Sequence, residues 1–377
     1  MDEKDIEMAM NALRNTAEAT NYLKKEQQGL LSAFTGLIFG TGQKSKIAQL
    51  KGMTFFEKQV ELVNAESYLL KALLSILTDS NFTTLIKEGI NIKNSFQTEK
   101  SCYKYLYKIH KQGGEDALIE NGIDQTFITG TYLGMGGFNL LLSILPQKVL
   151  RIFEFMGFSG NREFGLQCLS LGGGWPAPAD NPIKKRKKQV KVKSAINFFS
   201  EKIPQESGLG SRKFICETML HLYYDVISTL IPVPVCNIPL AAKMTDKILQ
   251  DHPKSFLFLL VRAKVSQSER RINKAIEELN KVISAQKDWR QLAHICFWEL
   301  GICHGAIGEY SKAAEYFDTL CKENEWSKAI YYYIKGALLY EDDPIKNKAE
   351  IEESFRKVPE NLKKIAGKSI PLEVNNF

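Results

Sequence analysis

Three small residues, Ala263, Gly301 and Gly336, recur in the second half of the chain at intervals of about 34 residues plus a few inserted ones. Each is set among large apolar residues at helical spacing. Around Gly301, Phe297, Leu300 and His304 share its face, Gly308 and Tyr310 mark a turn, and Ala313, Phe317 and Leu320 continue on a second helix. The preceding unit places Ala275, Leu279 and Val282 at the same offsets after Ala263. The following one has Tyr332, Gly336 and Leu339 and loses the pattern at Asp342-Asp343-Pro344. A missing side chain lets two helices approach closely while bulky neighbours fill the adjoining groove. One helix pair cannot bury such a face alone, so pairs must stack. The expectation is an all-α chain, an α-solenoid of antiparallel helix pairs of the tetratricopeptide kind.

The first half carries no such period but is also helical. A helix is expected over Asp5–Lys25, a connector over the glycine-rich Gly29–Gly42, and a strong helix over Phe55–Thr78, where Val60, Val63, Ala65, Tyr68, Leu69, Ala72, Leu73 and Ile76 cover a wide face. A partner helix from about Phe82 through Lys111 closes at Gly113-Gly114. The stretch Gln125–Gln147 is uncharged, but Gly130, Gly134, Gly136 and Gly137 dilute it, so it reads as a buried or interface-lying helix rather than a membrane span. Leu171 to Gly210 joins the breaker cluster Gly172-Gly173-Gly174-Trp175-Pro176-Ala177-Pro178 to the basic run Lys184–Lys193. Helical patterning resumes from Phe214 to Leu230, before Pro232, Pro234 and Pro239. The divisions are residues 1–170, an N-terminal helical region; 171–212, a basic Gly/Pro-rich insertion or linker; and 213–377, tetratricopeptide-like repeats.

Several blocks resemble the tetratricopeptide repeat protein 39 family, which also takes in a fungal inclusion-body clearance protein. They are Ala65-Glu66 with Ile90–Phe96, Gly136–Leu140 through Gly157–Glu163, Cys296–Leu300, Cys321–Glu323 with Trp326–Tyr331, and Ile365–Pro371. The resemblance implies a cytoplasmic helical adaptor without enzymatic activity, in a family linked to lipid handling or to the clearing of aggregated protein. The chain departs from the family by beginning inside what should be the second helix of a pair, by carrying the 171–210 insertion, and by stopping at Val374-Asn375-Asn376-Phe377. A shortened form is therefore expected, with apolar end faces that a solenoid normally caps.

Chemical signals are sparse. The formal charge is +7, and much of the excess sits in Lys184–Lys193, read as a solvated loop ahead of a nuclear import signal or an anionic-lipid contact. Seven scattered cysteines fit a reducing compartment, and the acidic N-terminus lacks the features of a leader peptide, so a cytoplasmic location is expected. Gly367-Lys368-Ser369 has Leu362 where a phosphate-binding loop needs glycine, and Gly134-Met135-Gly136-Gly137 lacks the spacing of a dinucleotide loop and is better explained by helix packing. His294, Cys296, Cys303 and His304 form a metal-capable cluster but are read as core. No catalytic residue, cofactor, metal, nucleic acid or small-molecule substrate is expected.

In a tetratricopeptide stack the first helices of the pairs line a groove, at offsets of minus six, minus three and plus one from the small residue. These select Leu257, Leu260 and Lys264; Ile295, Trp298 and Ile302; and Ile330, Tyr333 and Ala337. The groove is apolar and aromatic, without the Lys/Arg/Asn clamp used for C-terminal carboxylates, and suits a protein partner presenting an amphipathic helix or apolar peptide. The alternative is a peripheral membrane or lipid-droplet protein anchored by residues 134–158, where Phe138, Leu141, Leu142, Leu145, Val149, Ile152, Phe153 and Phe155 lie with Lys148 and Arg151.

Overall fold

The computed structural model describes residues 3–35, 43–78, 87–145, 147–155, 157–175, 211–227, 237–285, 290–362, 364–365 and 370–371. The chain is an all-α helical-repeat solenoid of successive helix pairs. Among the described residues the β-structure is one two-residue antiparallel ladder, in which Lys364–Ile365 pairs with Ile370–Pro371. Two compact units divide the chain, Asp2–Leu220 and His221–Phe377. The basic run Lys184–Lys193 lies outside the described residues.

The first unit contains α1 (Glu3–Thr35), α2 (Gln43–Gly52), α3 (Phe55–Thr78), α4 (Gly89–Glu120), α5 (Gln125–Leu142), α6 (Gln147–Phe155), α7 (Arg162–Gly172) and α8 (Ser211–His221). Helix α1 overruns its expected end at Lys25 and takes in part of the expected connector, since a lone interior glycine such as Gly29 costs only about 1 kcal/mol among good helix formers. Thr54 and Glu57 form a reciprocal capping box at the start of α3: Thr54 N–H donates to Glu57 Oε2 at 2.6 Å and Glu57 N–H to Thr54 Oγ1 at 3.3 Å. The expected close of α4 at Gly113-Gly114 is a kink instead. Gly114 takes φ 64°, and helix resumes to Glu120.

Asp124 and Asn161 cap α5 and α7 by accepting from Phe127 N–H and Phe164 N–H. These two helices meet almost backbone to backbone: a Cβ on Gly165 would stand 2.8 Å from Leu140 N and 3.0 Å from Gly136 O. Leu62, Cys102, Tyr105, Leu106, Phe127, Tyr132 and Cys168 form one core, and Ala72, Ile92, Leu142, Phe153 and Phe158 a second. Buried Gly172, Gly173 and Trp175 tie the end of α7 to α8, with Trp175 Nε1 donating to Glu217 Oε1 at 3.0 Å.

The second unit begins with a π-helical turn over Leu222–Ile227, where an unbroken α-helix is expected from sequence. It continues through α9 (Ile238–Asp251), α10 (Phe256–Ser268), α11 (Ile272–Ala285), α12 (Arg290–Ala306), α13 (Tyr310–Glu323), α14 (Lys328–Asp342) and α15 (Lys348–Glu360). Each of the last six helices packs on its sequence neighbour.

Candidate functional site: the exposed face of the repeat helices

The repeat logic is visible atom by atom in the second unit. Ala263 is fully buried, and the helix-B residues Ala275, Leu279, Val282, Ala313, Phe317 and Leu320 are completely buried. A Cβ on Gly301 would stand 2.6 Å from the Phe317 ring, and one on Gly336 would stand 3.1 Å from the Phe355 ring. The glycine of each first helix thus admits an aromatic ring from the second helix of its own pair. At the turns, Gly308 takes φ 82°, and Arg270, one unit earlier, is forced into the same left-handed region at φ 61°.

Polar ties join successive helices. Lys264 Nζ donates to Glu299 Oε2 at 2.9 Å between α10 and α12. Lys335, buried on α14, binds Asp318 of α13 at 2.6 Å and Glu350 of α15 at 2.7 Å. Burial works against the Lys335 charge, but the two carboxylates outweigh it and raise the ammonium above its ordinary value.

The predicted groove residues separate into two sets. Leu257, Ile295 and Ile302 are open to solvent, at 37%, 48% and 43% exposure. Ile295 and Ile302 stand two turns apart on α12, so they share one face. Leu260, Ile330 and Ala337 are half-buried, and Lys264 is engaged by Glu299. Trp298 and Tyr333 are half-buried against their neighbours: the Trp298 ring lies 5.4 Å from Phe317 and 5.9 Å from Tyr331, and the Tyr333 ring 5.9 Å from Phe355. Both rings brace the inter-helix seams beside the open face. Exposed Ile307, in the turn after α12, lies outside the offset rule, and no periodic signal in the sequence marks it.

His304 is buried, stacked on Tyr316, with Nδ1 at 2.6 Å from Glu309 Oε2. Cys296 and Cys303 are buried too, and burial, with Glu299 adding, pushes the Cys296 thiol up to about 12. Among the described residues no group of three His, Cys, Asp or Glu side chains is placed to hold a metal ion.

In the first unit, Phe138, Leu142, Leu145, Ile152 and Phe153 of the 134–158 region pack inward with Phe96 and Phe158. They leave a small apolar cavity of about 40 Å³ between α3, α4, α5 and α6. Phe155 alone of that aromatic set points out, at 94% exposure. Among the described residues no helix is long and apolar enough to cross a membrane.

The family model for Iml2/Tetratricopeptide repeat protein 39 matches residues 1–174 and 208–376. The chain belongs to this family. Tetratricopeptide repeat protein ttc-39B of Caenorhabditis elegans is 26% identical over 376 residues, which is 99% of this chain and 57% of that protein. The chain therefore spans a little over half the length of that curated relative. No solved structure matches it. Family and fold together make the chain a helical-repeat scaffold of the protein-interaction type. The family match leaves out residues 175–207, which contain the basic run.

Proposed function

We propose that this chain is a non-enzymatic, cytoplasmic adaptor that holds a protein partner along the open face of α10, α12 and α14. The observation that carries this reading is the pair Ile295 and Ile302. Both are large aliphatic side chains left in solvent on a helix whose other faces are buried, two turns apart as an amphipathic helix would meet them. Leu257 extends the face onto α10, and Trp298 and Tyr333 stiffen it from beside. Lys264 is spent on Glu299, so the face favours an apolar or amphipathic peptide over a terminal carboxylate.

The test is a double substitution, Ile295→Glu with Ile302→Glu, at positions whose exposure lets the fold survive. With helicity and melting temperature unchanged, partners bound by the parent chain should be lost. Retention of every partner removes the face from the account.

A second reading rests on Phe155, solvent-exposed beside Arg151 and Glu154 at the end of α6, which suits a lipid surface. Liposome flotation of the isolated chain, with and without Phe155→Ser, separates the two: only the lipid reading predicts flotation without a partner. Roles in lipid homeostasis or inclusion-body clearance would be exercised through whichever surface is in use.

A further inference from the structure

Glu99, on α4, is fully buried, and neither carboxyl oxygen has a hydrogen-bond partner among the described residues. Its carboxyl group occupies the space where a side chain on Gly134 of α5 would begin: a Cβ there would fall inside it. One turn earlier on α5, Gly130 makes a second notch, and a Cβ there would stand 3.0 Å from Arg212 Nε. Across that notch Arg212, at the start of α8, reaches α3. Nε and Nη2 donate to the two oxygens of Glu66 at 2.7 and 2.8 Å, and Nη1 donates to Gln59 at 2.8 Å. The glycines of α5 are thus bare where charged side chains must pass, as well as where α7 packs.

The half-buried carboxyl of Glu66 takes the fork of this guanidinium, and Glu99, one helical turn along α5 at the Gly134 notch, has no bond to it. The other titratable groups around Glu99 do not replace it. Helix α5 has Asp124 at its N-cap and Tyr132 within it. On α4 itself Cys102 is buried one turn on. On α2, Lys46 donates to Thr98. On α1, Lys24 is held by Glu61 of α3. On α7, Cys168 is a buried thiol that packs at Gly136, further along α5. Burial, with Glu66 adding to it, holds the Glu99 carboxyl well above the ordinary carboxylate range, and Arg212 offsets this only in part.

We propose that Glu99 is a proton-operated latch: protonated, it rests against Gly134 and leaves Arg212 to Glu66, and when its proton is lost to solvent, two carboxylates compete for Arg212 and the start of α8 loosens from α3. The direction with pH follows. A carboxyl whose folded-state value is raised keeps its proton when the unfolded chain has lost it, so its contribution is full in acid and is lost as pH rises from the ordinary carboxylate range through its own. Within that window the folding constant falls by up to about tenfold per pH unit from this one group.

The test measures melting temperature and amide hydrogen exchange from pH 5 to 9 for the parent chain and Glu99→Gln, with α14 as internal reference for the intrinsic rise of exchange. The parent should lose stability and α8 protection as pH rises, and Glu99→Gln should flatten both. A difference infrared spectrum at neutral pH should show a protonated-carboxyl carbonyl band in the parent that Glu99→Gln lacks. If Glu99→Gln does not fold, Glu66→Gln serves, because it frees Arg212 for an ionised Glu99 and should also flatten the slope. An unchanged slope in every variant that folds, or no protonated band at neutral pH, overturns the latch.

Discussion

Glycine does different work in the two units, and the contrast explains why one half of the chain announces its architecture and the other does not. In the second unit Gly301 and Gly336 each make room for a ring from the next helix in sequence, Phe317 and Phe355, so the requirement repeats with the helix pair. In the first unit Gly165 meets the backbone of Leu140 and Gly136, while Gly130 and Gly134 face Arg212 and Glu99. Glu99 comes from the neighbouring helix, but Gly165 packs on α5 across α6 and Arg212 reaches Gly130 from α8, so no interval repeats. A periodic pattern reports local pairing, and aperiodic small residues report long-range packing that a linear reading cannot assign.

The sharpest way to break this comparison is a pair of double-mutant cycles. Phe317→Ala should cost about 3–5 kcal/mol, read by denaturant unfolding of the second unit. Gly301→Ala alone should cost about 1–3 kcal/mol by overpacking. Combined, the two should cost clearly less than their sum, because the shortened residue 317 vacates the space the new methyl needs. Gly165→Ala should cost a similar 1–3 kcal/mol or more, but trimming Leu140 to alanine should not restore it, since the new Cβ meets main-chain atoms. Rescue of Gly165→Ala by that trimming would erase the distinction.

Smaller effects refine the account of the second unit. Lys335→Met removes the tie among α13, α14 and α15 and should cost about 1–2 kcal/mol, less than a fully buried ion pair because Asp318 and Glu350 reach solvent. Burial opposes ionisation of Asp318, but the bonds from Lys322 and Lys335 outweigh it and hold the carboxyl below its ordinary value. Its contribution is therefore present above that value and is lost as pH falls through the lowered one. Lys335→Met should shrink that acid-side loss in a pH series of melts. Least of all, Arg270→Gly should stabilise by about 0.5–1 kcal/mol, since it relieves a left-handed backbone that the next turn assigns to Gly308.

What was legible in the sequence follows the same division. Ala263, Gly301 and Gly336 with their helix-B partners specify the stacked pairs, because burial at fixed offsets is what creates the pattern. The offset rule also finds Leu257, Ile295 and Ile302, but it fixes only the direction in which a side chain leaves its helix. It does not foresee that Trp298 and Tyr333 are large enough to lean onto Phe317, Tyr331 and Phe355. Propensity misplaces the end of α1 because Leu and Ala around Gly29 outweigh one glycine, and it reads a kink at Gly113-Gly114 as a terminus. The Arg212–Glu66 contact bridges 146 positions and leaves no trace in composition or spacing.

Site-specific photocrosslinking in cells asks whether the open face of the repeat helices holds a protein partner. A photoreactive phenylalanine analogue would be placed at Ile302 and, as a control, at Ile119, which is more exposed but lies in the first unit. Position 302 should give a discrete crosslinked protein, abolished by Ile295→Glu, and position 119 none. The same product from position 119, or one from position 302 that survives Ile295→Glu, would contradict a partner held on that face.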